Sequence, residues 1–169
     1  MQQLLNLYRQ WKGTAPASTE RLAGAGSNRA YYRLRSADGQ QTVIGCVGTS
    51  TEENHAFIAL SRHFASKGLP VPHVLAATAD ERCYLQTDLG GTALFDALSK
   101  GRASGGQYDD GERELLRQAM RELPRLQFVG AEGLDFSVCY PQPAFDTMGV
   151  MFDLNYFKYC FLKATGLDF

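Results

Sequence analysis

The stretch Leu22-Ala23-Gly24-Ala25-Gly26-Ser27-Asn28-Arg29-Ala30-Tyr31-Tyr32-Arg33-Leu34 constrains this chain more than any other, because two glycines and two small polar residues stand between apolar segments. A turn of that composition can bring backbone N–H groups against phosphate. A Walker-type loop needs Gly-Lys followed by Ser or Thr before a helix, and a Rossmann turn needs a strand-to-helix transition; neither occurs here. The segments on either side, Thr19 to Leu22 and Tyr31 to Arg35, read as antiparallel strands. The turn is therefore expected as a hairpin flap, with Gly24, Gly26, Ser27 and Asn28 in the bend and Arg29 supplying charge. A plain hairpin turn that binds nothing is the other reading of the same residues.

Around that hairpin the chain reads as α+β. Leu4, Leu5, Leu7, Tyr8 and Trp11 lie on one side of a short helix that Gly13, Thr14 and Pro16 end. Asp38-Gly39 turns into a third strand from Gln41 to Val47. Thr51 or Ser50 can cap the next helix, in which Glu52 and Glu53 suit the positive end of the helix dipole. Phe57, Ile58, Leu60 and Phe64 give that helix its apolar period, and Lys67-Gly68 closes it. Leu69-Pro70-Val71-Pro72 leads to a hairpin of Val74 to Ala77 and Cys83 to Gln86, which makes a sheet of about five strands.

Asp88-Leu89-Gly90-Gly91 breaks this pattern, and the rest reads as helical. Thr92 is expected to cap a helix from Ala93 to Leu98, and Gly101 to Gly111 reads as a mobile polar connection. Glu112 to Phe128 reads as an amphipathic helix perturbed at Pro124. The last helix, Thr147 to Lys163, carries Phe152, Tyr156, Phe157, Tyr159, Cys160 and Phe161, more aromatic surface than a solvent-facing helix needs. It is expected to meet a partner, either a further part of the same protein or a second copy.

Composition excludes several classes. Of 169 residues, 17 are Lys or Arg and 18 are Asp or Glu, a net charge of −1, which gives no footprint for nucleic acid or an anionic membrane. Cys46, Cys83, Cys139 and Cys160 are widely separated and read as reduced thiols. With no long apolar run, the expected location is the cytoplasm. The three histidines, His55, His63 and His73, lack cysteine partners at metal-ligand spacing. No Gly-x-Ser-x-Gly elbow occurs. Asp146 reads as a helix cap, Asp153 as a polar helix position, and Asp135 has no metal-pair neighbour. No residue is assigned a catalytic or metal-ligating role.

A hairpin flap over phosphates is usually served by a third-strand lysine paired to a glutamate in the following helix. Thr42-Val43-Ile44-Gly45-Cys46-Val47 has no lysine. Glu53 fills the glutamate place without that partner, and an ordinary helix-terminal carboxylate is its other reading. Gln86, Thr87 and Leu89 form a connector whose backbone groups can meet an adenine edge.

Together, the Leu22 to Leu34 stretch, Gly68-Leu69-Pro70-Val71-Pro72-His73-Val74-Leu75-Ala76 and Leu85-Gln86-Thr87-Asp88-Leu89-Gly90 resemble the front part of the aminoglycoside phosphotransferase and choline kinase-like superfamily. A weaker fourth match runs from Tyr140 through Phe145-Asp146 to Met151-Phe152-Asp153-Leu154 and Tyr156-Phe157. Within the superfamily the residues most resemble bacterial kinases of N-acetylmuramate and N-acetylglucosamine, a branch that also lacks the third-strand lysine. Gly45 is taken as the position where that lysine would stand.

The resemblance implies a protein-kinase-like fold, with residues 1–88 as a nucleotide-binding lobe and 89–169 as connector and partial helical lobe. It further implies ATP under the Gly24 to Asn28 loop, Mg2+ in the whole enzyme, and a small hydroxyl acceptor, a sugar. The family's His-Gly-Asp loop and later magnesium aspartate do not occur in these residues. The expectation is thus a fragment inactive alone, whose missing partner is the rest of the helical lobe. The competing expectation is a non-catalytic, degenerate kinase-like module that regulates or scaffolds, with self-association through the aromatic helix.

Overall fold

A computed structural model of the chain describes residues 1–24 and 28–166. Gly26 and Ser27 of the expected flap lie outside the described residues. Residues Met1–Leu134 form one compact unit and Asp135–Phe169 a second. The expected boundary after residue 88 falls inside the first.

The first unit is built on an antiparallel sheet of five strands: β1 (Ser18–Arg21), β2 (Ala30–Arg35), β3 (Thr42–Val47), β4 (Val74–Ala77) and β5 (Cys83–Thr87). Their spatial order is β1-β2-β3-β5-β4, so the two four-residue strands lie at the margins. Helix α1 (Gln2–Lys12) covers one face and α2 (Thr51–Ser66) the other.

Alternation along each strand sorts the side chains between these helices. Leu34, Val43, Cys83 and Leu85 pack with Leu4, Leu7 and Tyr8 of α1, while Cys46 and Tyr84 pack with Ile58 of α2. The apolar spacing of α1 therefore becomes a docking stripe, and Gly13, at φ 80°, ends the helix in the left-handed conformation. Gln3 adds a polar tie from α1 to Asp80 in the β4–β5 turn, with Nε2 within 3.0 Å of both carboxylate oxygens. The Thr78 hydroxyl and that amide hold the Asp80 carboxyl down to about 2.

Ser50 caps α2, its Oγ accepting the Glu53 N–H at 3.1 Å. Between this helix and the β4–β5 turn, buried Asn54 donates from Nδ2 to the Glu81 carbonyl at 2.8 Å.

The segment expected to be a mobile connection is structured instead. Helix α3 (Leu94–Ala97) is followed by α4 (Ser99–Ala103), and α5 (Asp110–Ala131) begins two residues before Glu112. Buried Glu112 explains this: Oε1 accepts from the Gly101 N–H at 2.9 Å and Oε2 from the Asp109 N–H at 3.1 Å. Asp109 returns the bond to the Glu112 N–H at 2.9 Å, which completes a capping box. Polar composition here marks a network rather than solvent.

Thr92 does not cap α3; the cap position is Ala93, with no side-chain bond. The expected amphipathic helix is present as the 22-residue α5, which runs helical through Pro124. One lost backbone bond is absorbed by a helix anchored at both ends, by its capping box and by the His63 Nε2 contact to the Gly130 carbonyl at 2.9 Å.

In the second unit, a 3-10 turn at Phe136–Val138 precedes α6 (Thr147–Phe157), which continues through a π turn at Lys158–Leu162 into α7 (Lys163–Thr165). The single helix expected over this range is thus interrupted by a wider turn. Asp146 caps α6, accepting from the Met148 and Gly149 N–H groups at 2.9 and 3.1 Å. Phe152 stacks with Tyr156 and Phe157 with Phe161, yet all four rings remain at least half exposed. No helix of the described residues is long and apolar enough to cross a membrane.

Candidate functional site: an arginine–glutamate pair beside the glycine turn

Register decides which residues can act together. Ala30, Val47 and Cys83 form one row at the glycine-turn end of the sheet, whereas Val43 and Thr87 pair at the other end. Four residue steps of strand, about 14 Å, separate the two ends. The residues beside the glycine-rich stretch and the connector therefore lie at opposite ends of the strands.

At the turn end, Arg29 precedes β2 and shares a strand face with Tyr31 and Arg33. Its Nη2 pairs with Glu53 Oε1 at 2.6 Å, and Nη1 donates to the Tyr84 hydroxyl at 3.2 Å. The guanidinium carbon lies 5.5 Å from the centre of the Phe57 ring, which stacks on Tyr84 at 5.0 Å. So Glu53 does have a cationic partner, supplied by the turn and not by β3. With side-chain exposures of 17% for Arg29 and 26% for Glu53, the pair is partly desolvated, which strengthens it over a surface pair.

The neighbouring titratable groups are held neutral. Burial first, and the adjacent Cys46 next, push the Tyr84 phenol far above its usual value. Burial likewise pushes the Cys46 thiol up to about 11, and raises Tyr31. The Arg29–Glu53 pair thus stands among phenol and thiol groups that stay protonated at neutral pH.

Gly45 is not the place of a missing lysine. A Cβ there would lie 2.8 Å from Leu34 Cδ1 and from both Leu4 methyls, on the face that α1 covers. Thr42, Ile44 and Cys46 are the β3 residues on the α2 face, and Cys46 is fully buried there.

The connector end is fixed by a second ion pair. Arg33 Nε donates to Asp88 Oδ2 at 2.6 Å and Nη2 to Oδ1 at 3.1 Å. The Arg33 hydrogen bond, outweighing burial, holds the Asp88 carboxyl below its usual range. An aspartate in an unfolded chain titrates near 3.9, so a lowered folded value adds stability that is complete above about pH 5 and is lost as pH falls through the folded value. Asp88→Asn is expected to flatten the acid side of the stability curve. Urea midpoints from pH 7 to pH 3 that track the wild type throughout would remove Asp88 from the acid-labile groups.

Among the other connector residues, the Thr87 N–H is committed to the His73 carbonyl at 3.0 Å, and Thr87 Oγ1 accepts the His73 N–H at 3.0 Å. The Leu89 N–H forms no hydrogen bond among the described residues, so it is the better placed of the two to meet a ligand. Gln86 Oε1 is buried with no hydrogen-bond partner among the described residues. Gly24 and Asn28, flanking the turn, are exposed.

The remaining candidates have local duties. Asp135 accepts the Ser137 N–H at 2.9 Å, and His55 Nδ1 lies 2.8 Å from Glu81 Oε2. Asp153 lines concavities of the second unit, and a separate concavity of about 220 Å³ lies between Pro70-Val71 and α5. Among the described residues no three His, Cys, Asp or Glu side chains are placed to hold a metal ion.

No protein-family model matches the chain, and no curated protein matches it. The fold defines an α+β architecture with a five-stranded antiparallel sheet and several helices.

Proposed function

We propose that this chain is the nucleotide-binding part of an ATP-dependent small-molecule phosphotransferase, a cytoplasmic kinase of the aminoglycoside phosphotransferase and choline kinase type. The observation that carries the reading is the Arg29–Glu53 pair at 2.6 Å, a cation oriented by a helix carboxylate beside a glycine-rich turn. A guanidinium held this way offers fixed donors to phosphate oxygens without reorganising first. Gly24, Gly26, Ser27 and Asn28 would cover the phosphates, and the Leu89 N–H, bordered by Gln86 and Thr87, would meet the base. In the whole enzyme Mg2+ would neutralise phosphate charge during transfer of the γ-phosphoryl group to a sugar or other small hydroxyl compound. The metal ligands and the base for that step would come from residues other than those described.

Titration with magnesium-ATP, followed by calorimetry and amide NMR, tests this. Shifts are expected at Gly24, Gly26, Arg29 and Leu89, and an unperturbed spectrum at millimolar ATP would count against nucleotide recognition.

One observation favours a second reading, a degenerate kinase-like module that binds a protein and not a nucleotide. Phe152 is 69% exposed and Tyr156 64%, a surface that suits self-association. Concentration-dependent sedimentation together with a silent ATP titration would select it.

A further inference from the structure

Arg33 lies within β2 on the α2 face, and its guanidinium bonds residues that follow the end of β5. Besides the two-point pair with Asp88, Nη2 donates to the Gly90 carbonyl at 3.0 Å. Asp88 Oδ1 in turn accepts the Gly90 N–H at 2.9 Å, so the two side chains together close residues 88–90 into a bend. Gly90 turns there with φ at 94°.

β2 and β5 are not neighbours. They flank β3, with Arg33, Ile44 and Gln86 in one row, so the pair reaches across a whole strand. The pairing of β3 with β5 is already complete at Thr87 and needs no such link. The ion pair instead sets the direction in which the chain leaves the sheet. It is well shielded, with the Asp88 side chain 7% exposed and that of Arg33 22%. Leu89 stands between two anchored residues, 71% exposed and with its N–H uncommitted among the described residues. A backbone edge held from both sides loses little freedom when a planar heterocycle docks on it.

Building on the nucleotide-binding reading, we infer that Arg33 is a positioning residue for the nucleobase: through Asp88 and Gly90 it presents the Leu89 backbone to the base's hydrogen-bonding edge. The phosphates, at the other end of the strands, do not depend on it.

Calorimetric titration of the full chain and of its Arg33→Met and Asp88→Asn variants, using magnesium-ATP, adenosine and inorganic tripolyphosphate, separates the two ends. Loss of the charge-assisted bonds is expected to weaken ATP and adenosine about tenfold in both variants, while tripolyphosphate stays within about twofold of wild type. Faster amide exchange at Gly90 in the ligand-free variants, with the exchange of β3 unchanged, shows that the bend has opened in a folded protein. Equal weakening of all three probes, or ATP affinity unchanged in both variants, overturns the inference alone. A wild type that binds neither ATP nor adenosine overturns the nucleotide reading and the positioning role with it.

Discussion

Arg29→Met is expected to weaken magnesium-ATP binding about thirtyfold in a calorimetric titration, since a charge-assisted hydrogen bond to an anion contributes roughly 1.5–3 kcal/mol. Glu53→Gln is expected to act in the same direction but less, because it leaves the cation in place and removes only its orientation. Stability changes alongside. Glu53, 26% exposed, would lose its 2.6 Å partner, and Tyr84 would lose the bond at 3.2 Å. An unpaired, partly buried charge costs about 1–2 kcal/mol, read as a lower urea midpoint. Undiminished ATP affinity in a folded Arg29→Met protein would move phosphate recognition elsewhere.

The largest loss of stability is expected from Leu4→Ala. Leu4 is 0% exposed and packs in the cluster that holds α1 to Leu34, Val43, Cys83 and Leu85. Gly45 has no side chain with which to fill the space left behind, and a Cβ built there already falls 2.8 Å from the Leu4 methyls. A truncation that leaves such a cavity costs about 3 kcal/mol, which lowers the melting temperature by roughly 6–12 °C in a domain of this size. A drop below about 1 °C would mean that α1 is not integral to the sheet's core. Because Leu4 sits on the face opposite Arg29, additive effects in the double variant would separate core packing from the charged pair.

Local chemistry made much of the sheet legible. Glycine at position 13, the Asp38-Gly39 turn and the Ser50 cap mark real ends, and the strand at Val74 to Ala77 is found with the same bounds. Facing was not legible in β3, because Val43, Ile44 and Cys46 are buried on both sides of the sheet and no polar alternation distinguishes them. Gly45, taken as the position where the absent lysine would stand, lies on the face that α1 covers. The cationic partner of Glu53 was missed because it comes from the residue before β2, one strand away from where such a lysine is sought, and only the strand order brings it near α2. Arg33 and Asp88 are 55 residues apart and join across an intervening strand, a contact that no periodicity announces. The 101–111 segment misled by composition: its order rests on Glu112 and on the Tyr108 ring lying against Gly101. In α6 the apolar residues surround the helix, so no preferred face could be read.

The two outermost strands of the sheet are also its shortest. β1 and β4 each span four residues, and every residue of β1, including the charged Glu20 and Arg21, faces water. The charge of β1 and the brevity of both strands give a foreign polypeptide few open amides on which to align, which guards against fibril templating during synthesis. Whatever assemblies this protein enters are consequently expected to be built through its helical surfaces, leaving the ladder at five rungs.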